Sequence, residues 1–287
     1  MKRFFVSLIS TILAFTAGLV TASSWSSEHR LVELVVADAS PPCPQNMPDP
    51  PATVLSYSAT SPAEFHFGQN GLKLVPERVH LKSESQGYEI DVNYPQILGT
   101  PYIKETPIRK INQDLKASAT KLYQWTLNPA IRNNEVQSGI HNTVNFTYQV
   151  GLATDSVLSV NFIGYSYSGS AGRPIQESFA VNYDLTSGKQ LKLSDIFKPR
   201  SNYIQFISQH SIDELRQRNV APLIEGLEPD AENFKIWQIT TDGITFTFHP
   251  CQVAACSEGE LSMEISFEDL EPMLNPGIPG KFNITYP

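Results

Sequence analysis

Between Tyr88 and Trp125 the hydrophobic period of the chain changes, and that change constrains the fold more than any other feature. Tyr88, Ile90, Val92 and Tyr94 fall on one face at period two, with Glu89, Asp91 and Asn93 on the other. That alternation predicts a strand with one dry and one wet face. From Ile108 the spacing lengthens: Ile108, Ile111, Leu115, Leu122 and Trp125 hold one face of a helix. Thr106 is placed to cap this helix, Pro107 suits its first position, and Asn128-Pro129 stops it. Lys110 and Asp114 stand four apart on its wet side. A chain that passes from one period to the other must pack a helix on a sheet.

The remaining pattern extends the same scheme. Glu64–Phe67 and Leu72–Val75 flank the turn signal Gln69-Asn70-Gly71, and Arg78–Lys82 precedes the Tyr88 strand. Three further strand-like stretches, His141–Leu152, Ser156–Tyr167 and Glu177–Leu185, read as an antiparallel meander. Ser194 is placed to cap a short helical turn through Phe197. A second long helix is expected from Ser201 to about Asn219, with Ile204, Ile207 and Leu215 buried, broadened by Phe206 and Ile212. Lys235–Thr240 and Ile244–His249 join at Asp242-Gly243, and Glu260–Ser266 follows. Ser266-x-x-Asp269 is a capping box for a short helix through Leu274. The expected fold is α+β: a mainly antiparallel sheet with two longer helices packed on it and a short C-terminal helix.

The first residues have the three parts of a secretory signal. Lys2 and Arg3 are the positive part, Phe4–Val20 is apolar and uncharged, and Val20-Thr21-Ala22 fits a cleavage site after Ala22. The apolar run is shorter than the roughly 20 residues of a spanning helix and contains Ser7, Ser10, Thr11 and Thr16. Residues 1–22 are therefore expected to be removed, leaving no stable membrane insertion. Pro41, Pro42, Pro44, Pro48, Pro50, Pro51 and Pro62 break the next stretch, which cannot bury enough apolar surface to order itself. Residues 23–63 are read as a disordered linker, and 64–287 as one domain of an exported protein, periplasmic or secreted. The formal net charge is −8, and cleavage would make it more acidic by removing Lys2 and Arg3. Such a surface repels phosphate backbones and excludes nucleic acid as a partner.

The cysteines are Cys43, Cys251 and Cys256. In an oxidising compartment the close couple, Cys251 and Cys256, is expected to pair across a loop between two strands. A bridge from Cys43 to the domain, an intermolecular disulfide, and a buried pair of free thiols are the competing arrangements. C-x4-C offers too few ligands for a metal, and no metal or other cofactor is expected.

Motifs of catalysis are missing from the sequence: it has no G-x-S-x-G, no H-E-x-x-H, no phosphate-binding loop and no G-x-G-x-x-G after a strand. Gly169-Ser170-Ala171-Gly172 reads as a hairpin loop. No catalytic residue is assigned. Tyr165 and Tyr167 share one face of a strand that leads into this loop, and Arg173 ends it. Tyrosine and arginine are enriched at recognition surfaces, so these three, with His249 at a strand end, are the candidate ligand-binding residues. The competing reading packs the tyrosines on the sheet and makes His249 structural.

Several stretches, in order, resemble one family. Tyr94-Pro95-Gln96-Ile97 is similar to its opening. Ser178 to Phe197 resembles its most recognisable block: Asn182, Asp184 and Leu185 stand as its "N-x-D-L", Gly188-Lys189 as its "G-K" turn, and Leu193, Asp195 and Phe197 as its "L-s-D-l-F". Phe246 to Gly259 resembles "F-F-x-x-Y-E-V-A-P-Y-A-x-G", with Cys251 and Cys256 in place of its two tyrosines, and Leu261–Leu274 its closing strand and helix. The family is the extracytoplasmic domain of RsiV-type anti-sigma factors, which also precedes the catalytic domain of PdaC-type peptidoglycan deacetylases. The resemblance spans roughly Tyr88 to Leu274. It implies an α+β envelope module that binds a basic extracellular protein, as RsiV binds lysozyme, or peptidoglycan. No sigma-binding segment and no deacetylase domain is recognised, and the family's "A-H-P" loop reads Gly172-Arg173-Pro174. The expected function is thus a non-catalytic binding module. The alternatives are an envelope hydrolase with an unrecognised site and a passive structural exported protein.

Overall fold

A computed structural model of the chain describes residues 65–67, 72–98, 103–128, 141–169 and 173–284. The expected signal peptide, the proline-rich linker, Cys43 and residues 170–172 of the Ser168–Pro174 loop lie outside the described residues. The fold is α+β, as the sequence predicts, but its strands divide into two sheets.

The larger sheet has seven strands in chain order: β1 (Phe65–Phe67), β2 (Leu72–Ser83), β3 (Tyr88–Ile97), β4 (Asn142–Ala153), β5 (Val157–Tyr167), β6 (Ile175–Asp184) and β7 (Lys189–Gln190). All neighbours are antiparallel except β3 and β4, which run parallel from Tyr88 beside Asn142 to Val92 beside Phe146. Helix α1 (Glu105–Tyr123) lies between those two strands in the chain, which is what a parallel connection requires. The predicted strands at Leu72–Val75 and Arg78–Lys82 are one strand, with Pro76 inside it opposite Pro95. The expected meander is β4–β5–β6.

Ile108, Ile111, Leu115 and Ala119 form the buried stripe of α1, which packs with Ile90, Val92, Val144, Phe146, Val160 and Phe162 on one face of the sheet. Each large aliphatic side chain buried there contributes about 1.5–3 kcal/mol. Phe162 and Phe179 stack with ring centres 4.6 Å apart. Burial in this core pushes the Tyr148 phenol up to about 12. Helix α1 begins one residue before the predicted cap. Lys104 takes the cap position without a side-chain bond, and Pro107 falls third in the helix, where its missing N–H still has no intrahelical role.

The smaller sheet has strands β8 (Trp237–Ile239), β9 (Gly243–Phe248) and β10 (Leu261–Ser266), in the order β10-β9-β8. It has its own core of Ile207, Leu215, Phe234, Phe246, Phe248, Met263 and Ile265 among others. Three more helices accompany it: α2 (Leu193–Ile196), α3 (Tyr203–Gln217) and α4 (Phe267–Leu270). The second long helix therefore packs on this core, not on the large sheet. Ile207 and Leu215 are buried in α3 as expected, joined by Ser208 and Ser211, with Ile204, Phe206 and Ile212 partly buried. Ser266 caps α4: its hydroxyl accepts from Asp269 N at 3.1 Å. In α2 the bond is made by Asp195, not Ser194; its carboxylate accepts from Lys192 N at 2.9 Å. A fifth helix, α5 (Ile278–Phe282), was not expected from the sequence.

The two sheets meet where β8 crosses β4, β5 and β6 on the face opposite α1. The β4–β5 register shifts between Val150 and Leu152, and Gly151 is the extra residue. A Cβ on Gly151 would stand 2.3 Å from Ile239 O, so this position admits only glycine at such close approach.

Candidate functional site

Strand β6 is the last full strand of the large sheet, and β7 pairs with only its final two residues, Tyr183 and Asp184. The first half of β6 is therefore an open edge. A groove of about 470 Å³ runs along it. One wall is the end of α1 and the 3-10 turn that follows, carrying Lys121, Leu122 and Trp125; the other carries His249 from the end of β9. Ser166 and Ser168 close the β5 side, and Ile175, Glu177, Ser178 and Phe179 supply the strand itself.

The polar groups of the groove are held in place. Trp125 Nε1 donates to Leu122 O at 3.1 Å, which fixes the indole against the helix end. Ser166 Oγ donates to Glu177 Oε2 at 3.2 Å. Gln252 Oε1 accepts from His249 N at 3.2 Å, and its amide donates to Asn233 O at 2.9 Å, which anchors the end of the β9–β10 hairpin. Glu260 sits one position beyond the last β9–β10 pair, across from His249. Burial raises its carboxyl above the ordinary value; the Ser178 hydroxyl beside it opposes the shift without a well-aligned hydrogen bond.

The four candidate residues do not converge. His249 lines the groove. Side chains alternate along a strand, and Ser166 faces the groove, so Tyr165 and Tyr167 on either side of it point to the other face of β5. Tyr165 is 39% exposed there. Arg173 is exposed at the foot of β6. Trp125, Phe179, Ser166 and Glu177 were not singled out from the sequence. Trp125 reads as one more position of a helical stripe, and the open edge follows from how short β7 is.

In the most recognisable block of the family resemblance, Ser178 and Phe179 line the groove, and the residues from Asn182 onward hold the structure together. Ser159 Oγ donates to Asn182 Oδ1 at 2.6 Å, and Asn182 Nδ2 donates to Trp237 O at 2.9 Å. Asp184 Oδ1 accepts from Thr186 N at 2.9 Å, and its other oxygen pairs with Lys281 at 2.8 Å. Burial works against ionisation of Asp184, but Lys281, Ser187 and the Thr186 N–H outweigh it and hold the carboxyl below its ordinary value. Gly188 turns the chain at φ +70. Asp195 O accepts from Asn275 Nδ2 at 2.9 Å.

Cys251 and Cys256 form a disulfide with Cα atoms 4.1 Å apart, in the loop between β9 and β10. Among the described residues no group of three or more His, Cys, Asp or Glu is arranged to hold a metal, and no helix is long and apolar enough to cross a membrane.

Comparison with known proteins gives the fold and the resemblance independent support. Residues 81–172 match the family described as deacetylase PdaC, and residues 194–268 match a protein family of unknown function, DUF3298. Over 200 residues the chain is 27% identical to the peptidoglycan-N-acetylmuramic acid deacetylase PdaC of Bacillus subtilis, which covers 68% of this chain but 40% of that protein. A crystal structure of a DUF3298 member from Bacteroides fragilis aligns with a TM-score of 0.56 at 17% identity, covering 74% of this chain and 97% of the other.

Proposed function

We propose that this chain, whose folded region is a domain of the DUF3298/PdaC type, is an exported binding module of the bacterial envelope. The β6 groove is its docking site. The supporting observation is the groove itself: a fixed tryptophan, a strand edge and a few tethered polar groups, Glu177, Ser166 and His249, converge there. Ligand sites combine an apolar lining with a small number of placed polar groups in this way. The net charge of −8 favours a basic extracellular protein or a cationic region of the wall as partner. The similarity to a peptidoglycan deacetylase points to the wall as the setting.

The test has two parts. Mass spectrometry of the mature protein should find Ser23 at its N-terminus; intact Met1 in a membrane fraction removes the exported reading. Co-sedimentation with peptidoglycan sacculi, and pull-down with lysozyme as the basic protein, should succeed at low salt. Binding should weaken as salt rises, since exposed charges are screened over about 8–10 Å at physiological ionic strength. It should also weaken in Trp125→Ala. Failure with both partners at low salt overturns the binding reading.

An envelope hydrolase is the second reading. Its support is the proximity of Glu260, with its raised pKa, to Ser178, which shares the groove with His249. Against it, Ser178 Oγ has no aligned base to activate it. Release of soluble fragments from sacculi, lost in Glu260→Gln, would decide for the hydrolase.

A further inference from the structure

Resting on the groove as the docking site, we infer that the ligand is an extended polypeptide segment that adds to the free edge of β6 as a further strand. A residue in an antiparallel strand points its N–H and C=O to the same side. Asn182 O accepts from Leu191 N and Asp184 O from Gly188 N, both on the β7 side. Counting back by twos, Ala180, Ser178 and Gln176 also direct their backbone groups outward. Among the described residues nothing hydrogen-bonds to them. Ser178 is 3% exposed and lies in the groove, so the middle of this edge is walled off, while Gln176 before it is exposed. At Ser178, buried backbone groups without partners cost free energy that a ligand strand would recover.

The opposite edge of the same sheet is defended. Beyond the short β1, strand β2 carries Pro76, which has no N–H, the Arg78–Asp91 ion pair and Lys82 between Glu84 and Glu89 at 3.2 Å from each. Charges and proline are the usual means of keeping strands from pairing. The segment Ile175–Ala180 has no proline and a single charge, Glu177, and Ile175 is exposed.

The side chains set what the strand must carry. Ile175, Glu177 and Phe179 share the α1-side face of β6. A partner strand therefore wants apolar, basic and apolar residues at alternate positions. That pattern is palindromic, so it fits in either direction. Strand addition takes affinity from the main chain and specificity from alternate side chains in this manner.

The probe is the capped pentapeptide Val-Thr-Lys-Thr-Val, labelled at one end, titrated against the whole chain by fluorescence anisotropy. Saturable binding is expected, with slowed hydrogen exchange at the Ser178 and Ala180 amides. N-methylation of the two threonine amides, or of the other three amides in a second analogue, should weaken binding by about tenfold in whichever analogue blocks the edge-facing groups. Gln176→Pro should act likewise, because proline is tolerated where an edge N–H faces outward, whereas Gln176→Ala should not. Glu177→Lys should lose the lysine peptide and gain its glutamate-centred counterpart. Equal binding of both N-methylated analogues overturns the inference. So does protection of the edge amides that depends on protein concentration without peptide, which would assign the edge to a second copy. Failure of the peptide while sacculi or lysozyme still bind overturns strand addition alone; failure of all three overturns the docking site with it.

Discussion

Ser159 and Asn182 stand opposite each other on β5 and β6, and their side chains bond across the strands at 2.6 Å on the face turned to the smaller sheet. Each also holds β8: Ser159 Oγ accepts from Ile239 N at 2.9 Å, and Asn182 Nδ2 donates to Trp237 O at 2.9 Å. Both residues are almost fully buried. The pair is a polar rivet between two sheets whose cores are otherwise separate clusters.

Removing either partner leaves buried backbone groups of β8 without a bond. Asn182→Ala and Ser159→Ala should each cost about 1–3 kcal/mol in urea unfolding. The double variant should cost less than the sum, since the singles already break the shared bond. Additive losses would show that the two act independently.

Gly188 should tolerate no side chain. Its φ is +70, and an added Cβ would lie 3.0 Å from Pro107 Cα. Its carbonyl accepts from Lys110 Nζ at 2.9 Å, so the turn and the first turns of α1 are fixed together. Gly188→Ala should destabilise by about 1–2 kcal/mol from the backbone alone, with the contact to Pro107 adding to it. An unchanged melting temperature would count against this close approach.

How far the sequence could be read follows from the range of each interaction. The alternation at Tyr88–Tyr94 and the stripe from Ile108 to Leu115 are local, and both elements formed where expected. The partition into two sheets was not legible, because Ile244–Phe248 and Val157–Phe162 carry similar strand patterns and neither segment specifies which strands it pairs with. Helix α5 is short and holds Pro279 and Gly280, both poor helix formers; Pro279 occupies the first turn, where its absent N–H costs nothing. At the site, His249 was visible as a strand-end histidine. Tyr165 and Tyr167 share a face as their spacing requires, but neither lines the groove, which opens at the β6 edge. Which face carries a groove depends on strand pairing distant in sequence.

The Cys251–Cys256 bridge closes a loop that also docks other segments: Leu223 N donates to Val253 O at 2.8 Å, and Gln252 braces Asn233. On the chain-entropy account, closing so short a loop stabilises by about 2 kcal/mol. Cys251→Ser with Cys256→Ser should lower stability by about that amount. Thiol counting under denaturing, non-reducing conditions should find one free thiol per chain, from Cys43. Three free thiols would rule out the bridge in the isolated protein.

Glu260 gives the domain a pH dependence of a definite sign. Burial disfavours its charged form, so its folded-state pKa lies above the unfolded value. Between those two values the folded state binds more protons than the unfolded state, and stability rises as pH falls through the folded pKa. At neutral pH the buried carboxylate therefore costs stability that a neutral side chain would not. Glu260→Gln should raise the melting temperature at neutral pH, and the gain should shrink as pH falls toward the ordinary glutamate range, where the native side chain is protonated as well. Ser178→Ala removes the hydroxyl that opposes the shift, so it should move the midpoint of this dependence to higher pH. The Asp184–Lys281 pair works in the opposite direction. The depressed carboxyl contributes stability above its unfolded pKa that is lost as pH falls through the folded one, and Asp184→Asn should remove that acid-side loss. Thermal melts of the wild type and the three variants across an acid-to-neutral series separate the two effects. A Glu260→Gln gain that does not change with pH would mean that it does not come from the ionisation of the buried carboxyl.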